Sequence, residues 1–426
     1  TILNSATLNL SYNNIRLNYL IAGLLLIAVV LDYFPVDMGF NDIYFIAVAS
    51  LCLIYAIIDK DIAIINEVNL VPVLFLLALS AYSLISYNWS IDKRISLAHS
   101  KLILRKTALF LIISVFCRDK RVKQYAHWFW FFLMLAYLGI AFWEISTWKH
   151  LPQSIYYNRA IFVPTGPFYG PNQFGAVFCL LFPFYLFIPE LTKNRRYLRV
   201  FSFICALLVI AIVIVEGARI AIIATLGMLL YTLFFLYSKK MRRTGLLLIG
   251  LIILGLIIFA KPLVNFTISK LSAEISSIGQ ESKSCVMGSI KIRTRLIPEN
   301  LEILAQSGFM GVGAGNVERY MLSGRIYRTG GISNPHNFFL ELMANYGLVF
   351  LLGFLYIYGI WLYRLWRAIK ANPEQKKYYE MFFFVLLMFI PAASLPSSII
   401  WEHHYWILFA FINEISHPAN WMQKAI

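Results

Sequence analysis

The stretch VFSFICALLVIAIVIVEGARIAIIATLGMLLYTLFFLYS, residues 200–238, decides the fold. It holds two apolar runs, 200–216 and 220–238, and the only polar interruption between them is at Glu216-Gly217-Ala218-Arg219. At about 1.5 Å of rise per residue, each run nearly crosses a hydrocarbon core of about 30 Å. The pair therefore reads as two membrane helices joined by a short turn. Runs of the same kind lie at 17–34, 43–58, 68–86, 102–117, 126–146, 171–191, 244–261, 345–363, 380–396 and 399–416. The run at 102–117 is the weakest, because Arg105 and Lys106 shorten its apolar part. With 426 residues that are 60% hydrophobic and 14% charged, and a mean hydropathy of +0.70, the chain reads as an all-α polytopic membrane protein of about twelve transmembrane helices. Transmembrane strands would instead show alternating segments of about ten residues.

The net charge of +16 does not indicate nucleic acid, because the basic residues fall mainly in loops between apolar runs. Arg118, Lys120, Arg121 and Lys123 follow the fourth run, and Lys193, Arg195, Arg196 and Arg199 follow the sixth. Lys239, Lys240, Arg242 and Arg243 follow the eighth, and Arg364, Arg367, Lys370, Lys376 and Lys377 the tenth. These alternate loops share one side, which the positive-inside rule makes the cytoplasm. Both termini are then cytoplasmic, and the connections at 35–42 and 397–398, without Lys or Arg, lie outside. One loop breaks the pattern: 87–101 puts Lys93, Arg94 and Lys101 outside. The organisation is a single transmembrane domain, 1–426, with an extracytoplasmic insertion at 262–335 between spans nine and ten. A long loop translocates largely regardless of its own charge. The N-terminus, Thr1 to Tyr12, lacks a signal-peptide layout, and the first apolar run reads as the first span. Cys52, Cys117, Cys179 and Cys205 lie in or beside apolar runs, with only Cys285 in the insertion, so neither zinc site nor disulfide framework is indicated.

Several polar residues stand out against this background. Arg219 reads either as a helix-end arginine that snorkels or pairs with Glu216, or as a fixed cation for a phosphate-bearing ligand. The glycine at 217 allows a tight turn before it. In the insertion, Lys291, Arg293 and Arg295 alternate. Leu296 to Gln306 then reads as an amphipathic helix with Leu296, Ile297, Leu301 and Leu304 on its apolar stripe. The glycine-rich run Gly308 to Asn316 reads as a tight turn that offers backbone N–H groups to an anion; no strand–turn–helix unit surrounds it to support dinucleotide binding. His336 precedes Asn337 and a helix beginning at Phe338, where the helix dipole disfavours protonation and leaves a neutral imidazole suited to a general base. A loop histidine capping that helix is the alternative. Glu402-His403-His404 reads as buried polar packing rather than a metal site, and His99 and His150 lie in outside loops without a motif. Gly166 to Gln173 reads as a turn into a helix capped by Asn172. With Tyr156, Tyr157, Arg159 and Phe162 upstream, it also suits an aromatic, polar wall for a sugar.

In this order these stretches resemble the O-antigen ligase and polymerase family. The matching positions are Gly170-Pro171-Asn172, Gly217-Ala218-Arg219, Arg293 with Gly311 to Asn316, and His336-Asn337 followed by Leu340 and Gly347. Ala218 departs from the serine many members carry there, and Ile297 from the aromatic that often follows the loop arginine. The resemblance covers roughly 160–350 in motif and the whole chain in topology.

The resemblance implies a metal-independent, cofactor-free membrane glycosyltransferase of GT-C type, in the bacterial inner membrane with its active site on the periplasmic face. The donor is a glycan on undecaprenyl diphosphate and the acceptor a lipid A-core or other glycan. His336 and Arg219 are then catalytic, with Arg293, Arg295, Asn172, Asn337 and Arg159 binding diphosphate or sugar. A ligase is the first expectation, a polymerase joining lipid-linked repeats the alternative. A transporter or flippase is less favoured, since no inverted repeat or mid-membrane helix break is visible. Membrane lipids are partners and nucleic acid is not.

Overall fold

The computed structural model describes residues 70–117, 120–192, 196–237, 289–323, 332–396, 398–400 and 402–418, with isolated positions between 243 and 250. The runs at 17–34 and 43–58, most of 244–261, and Arg325 and Arg328 lie outside the described residues. Every regular element described is helical: α1 (Leu70–Ile85), α2 (Lys93–Phe116), α3 (Lys120–Thr147), α4 (Pro171–Leu191), α5 (Arg196–Glu216), α6 (Arg219–Tyr231, continued by a π-helical turn to Leu236), α7 (Ser289–Gln306), α8 (Val317–Leu322), α9 (Phe338–Tyr346), α10 (Leu348–Ala371), α11 (Lys376–Ala392) and α12 (His403–Ile415). The all-α polytopic class is borne out: six helices or helical stretches among the described residues are long and apolar enough to cross a membrane.

The centre of the bundle is α4, buried continuously from Phe174 to Pro189. It packs against α11 and α5, and also against α3 and α6, while α12 lies on α2 and α1 on α2. Between membrane helices lipid is as apolar as leucine, so close packing rather than water exclusion holds such contacts together. Aromatic rings supply much of it: Phe131 meets Tyr185 edge-on at 5.1 Å, Phe389 meets Phe409 at 5.0 Å, and Phe338 meets Phe354 at 5.0 Å.

The weak run at 102–117 is part of the 24-residue α2. Arg105 and Lys106 do not end it, because Lys106 is fully buried with its Nζ 2.5 Å from His403 Nδ1. Glu402-His403-His404 thus packs on a buried lysine, which makes it interior polar packing as expected. The run at 345–363 divides at Gly347, whose φ of +89° ends α9 and starts α10.

Ends of the bundle follow from contacts. His127 at the start of α3 meets Tyr378 at the start of α11 with ring centroids 5.7 Å apart, and Phe187 near the end of α4 stacks on Phe384 of α11 at 5.6 Å. The basic loops after the fourth, sixth and tenth runs therefore collect at one end. The opposite end carries α7, α8 and α9 on a small core of Leu296, Ile303, Val312, Val317, Tyr320, Met321 and Ala344. Residues 82–92 dock there: Trp89 Nε1 donates to Gly311 O at 3.1 Å, and Asp92 N to Asn316 Oδ1 at 2.7 Å. The connection that broke the charge pattern is therefore on the same side as the insertion.

Candidate active site

Arg219 opens α6 directly after Gly217 (φ +72°) and Ala218, so the predicted tight turn is present. Arginine at a helix N-terminus meets the positive end of the helix dipole, an arrangement that an anion relieves. Arg293 projects from α7 to the connection between α11 and α12, where it donates from Nη1 to Ser394 O at 3.0 Å and from Nη2 to Leu395 O at 3.5 Å. Burial, with the Arg219 charge second, holds the Arg293 guanidinium below its ordinary value. The two cations therefore sit within each other's field, with Arg293 partly withdrawn from water.

His336 completes the group. Its φ of +48° is left-handed, an uncommon conformation for a residue with a Cβ, and its backbone N–H is held by Asn334 Oδ1 at 3.1 Å. Burial, with Arg293 second, pushes its imidazole down to about 4. The neutral ring is thus as expected, but burial and a cation cause it. Its Nδ1 is buried and has no hydrogen-bond partner among the described residues.

The α11–α12 connection organises this group. Asn337 caps α9, accepting from Phe339 N at 2.9 Å and Leu340 N at 3.2 Å, while its Nδ2 donates to Ser394 Oγ at 3.2 Å. Phe338 N donates to Ala393 O at 2.9 Å. One turn along α9, Glu341 Oε1 accepts from Ser398 Oγ at 2.6 Å. Burial raises the Glu341 carboxyl to about 8 against the lowering effect of that bond. Ser394, Ser398 and Glu341 were missed in the sequence; their one signal is that 397–398 connects two apolar runs without a charge.

The remaining expected residues are placed as follows. Arg295 is exposed on α7; two residues on a helix are about 200° apart, so it cannot share the face of Arg293. Asn172 is half-buried in the first turn of α4 but does not cap it. The N-cap is Gly170, whose N–H donates to Gln173 Oε1 at 3.0 Å. Arg159 is exposed in the 148–170 connection. That connection is built on Glu144, which accepts from Thr165 N at 2.8 Å and Gly166 N at 2.6 Å and contacts His150 Nδ1 at 3.1 Å. His150 is thus a buried strut, and His99 is buried within α2 beside Gly315.

Two local expectations are corrected. On α7 the buried face is Leu296, Glu299, Asn300, Ile303 and Leu304, while Ile297 and Leu301 are exposed; the stripe was set by tertiary contacts rather than by hydrophobicity alone. The glycine turn does not offer its N–H groups to an anion. Val312 N donates to Ala344 O, Gly313 N to Asn345 O, Ala314 N to Ser86 Oγ and Gly311 N to Ser307 Oγ. It is a docking turn.

Fold and site together define a polytopic all-α membrane protein that brings Arg219, Arg293 and His336 together at the end opposite the basic loops. Residues 203–355 match the family model described as O-antigen ligase, so the resemblance read from the motifs is borne out. That span carries Arg219, Arg293 and His336; Ser394 and Ser398 fall beyond it. The chain is also similar to the teichuronic acid biosynthesis protein TuaE of Bacillus subtilis (strain 168), at 22% identity over 339 residues, 78% of this chain and 68% of the relative.

Proposed function

We propose that the protein transfers a glycan from undecaprenyl diphosphate to a hydroxyl of an acceptor glycan, as an O-antigen ligase does, at the extracytoplasmic face of the bacterial inner membrane. The observation that carries this reading is the convergence of two guanidiniums and one neutral, buried imidazole at the end of the bundle opposite the basic loops. Arg219 and Arg293 hold the diphosphate, and the guanidinium fork suits its oxygens. His336 accepts the acceptor hydroxyl's proton as that oxygen attacks the anomeric carbon. The bond from that carbon to the diphosphate breaks, and the leaving group takes its electron pair against the two arginines. A single displacement inverts the anomeric configuration. A bound diphosphate also offsets the Arg293 field, which raises the proton affinity of His336 when it is needed.

His336→Ala should lower transfer by about 10²–10⁴-fold while the protein still inserts; full transfer by that variant refutes the base assignment. Arg219→Lys should be strongly impaired if the fork is required, whereas wild-type activity favours a snorkelling role. The relative named for teichuronic acid biosynthesis favours a second reading, in which the acceptor is another lipid-linked repeat and the product a polymer. Glycans of a deletion strain separate the two. Long chains left on the carrier indicate a lost ligase, and a single repeat on the acceptor indicates a lost polymerase.

A further inference from the structure

Lys93 and Arg94 open α2 at the end that carries the insertion, where basic residues are disfavoured in short connections, and the transfer chemistry uses neither. With Arg319 of α8 they line an open cleft of about 600 Å³, rimmed by the apolar side chains of Ile91 and Leu322. Among the described residues its lining holds one acid, Asp92, against three cations. Asp92 Oδ1 is taken by the N–H groups of Arg94 and Ile95, and its Oδ2 is 3.7 Å from Arg319 Nε. Lys93 Nζ reaches the carbonyls of Tyr87 and Asn88, which fixes its charge at the wall. The Arg94 guanidinium is exposed and pairs with no acid among the described residues.

We propose that this cleft binds an acidic glycan, through sugar carboxylates held by Arg94 and Arg319. The inference rests on the reading of the protein as a glycan transferase and names a substrate class for it. Pockets of 300–1,000 Å³ suit ligands of a few sugar rings, whereas a lone lipid phosphate would fill little of this one. Apolar rims beside cations suit a sugar chain, whose rings present C–H faces between their acidic groups. The cleft is also one short helix from the reaction centre: Glu318, beside Arg319, accepts from Ser333 Oγ at 3.1 Å, three residues before His336. A chain held there is directed to or from the transfer site.

The test uses the full chain in phosphatidylcholine nanodiscs and titrates trigalacturonate, with maltotriose as the neutral counterpart, read by calorimetry. Trigalacturonate should bind and maltotriose should not. Arg94→Glu should weaken binding about tenfold or more, and this change breaks no ion pair among the described residues. Lys101→Glu, an exposed cation on the same helix outside the cleft, should leave it unchanged, and so should His336→Ala. Wild-type affinity in Arg94→Glu, equal loss in Lys101→Glu, or equal binding of maltotriose each overturns the proposal. Complete loss of trigalacturonate binding in phosphatidylglycerol nanodiscs also overturns it, by making a lipid headgroup the occupant. Retained binding in His336→Ala, together with its transfer activity, keeps this outcome distinct from the fate of the transferase reading.

Discussion

At the residue scale, burial and the Arg293 cation set the behaviour of His336. The imidazole, at about 4, is neutral throughout the physiological range, so kcat/KM should be flat between about pH 6 and 8 and fall on an acid limb. Removing the Arg293 cation lets the ring protonate more easily, so Arg293→Gln should move that limb to higher pH while lowering the rate. A limb that stays in place in the pH profile would show that the two do not interact. Glu341 makes the opposite kind of statement. Its carboxyl is raised to about 8 by burial, so the folded state holds a proton that the unfolded state releases above about 4.5. The stability it contributes is fully present below that lower value and is lost as pH rises through about 8. Glu341→Gln should flatten this part of the pH dependence of thermal unfolding in detergent. An unchanged pH slope would show that Glu341 is not the group responsible. His336 and Arg219 were legible because each stands alone beside an apolar run. Glu341 was not, since a carboxyl on an apolar helix shows its burial only once Ser398 is seen above it.

At the element scale, α9 is the part that ties the site together. Asn337 both caps it and reaches Ser394, so Asn337→Ala should cost about 1 kcal/mol from the cap alone. That loss should lower transfer more than lipid-carrier binding, because the residue holds His336 in place. Gly347 ends α9 at a positive φ, and an added Cβ would lie 2.5 Å from Phe309 O. Gly347→Ala should therefore lower the melting temperature, and a variant as stable as wild type would show that the turn can yield. The glycine-rich run was visible as a turn, but its use was not. The acceptors for the N–H groups of Val312, Gly313 and Ala314 come from residues 344, 345 and 86, which are distant in sequence and share no pattern with the turn. The α7 stripe was misread for a related reason. Glu299 and Asn300 are buried on the face that carries Leu296 and Ile303 into the small core, while the more apolar Ile297 and Leu301 stay exposed.

At the scale of the whole molecule, the bundle has two chemically different ends, and that difference can be tested without any substrate. Gln375→Cys, in the exposed connection between α10 and α11, should be labelled by a membrane-impermeant thiol reagent only from the cytoplasmic side. Phe309→Cys, exposed in the glycine turn, should be labelled only from the opposite side. Labelling of both from one side would dismantle the topology. The helical class and six of the spans are legible in the sequence alone, because hydrocarbon imposes length rules that act locally; the loop charges supply the orientation that the labelling tests. Arg219 and His336 also stand out in the sequence, since a polar group is conspicuous next to apolar runs, whereas Arg293 is marked only by its place in the family pattern. Only the tertiary structure decided which of the flagged residues meet. Arg293 and His336 are joined through the α11–α12 connection, Arg295 turns away, and Lys93 and Arg94 form a cleft with Arg319. Those outcomes depend on which helix faces are buried and on hydrogen bonds between segments far apart in the chain, and no local pattern encodes them.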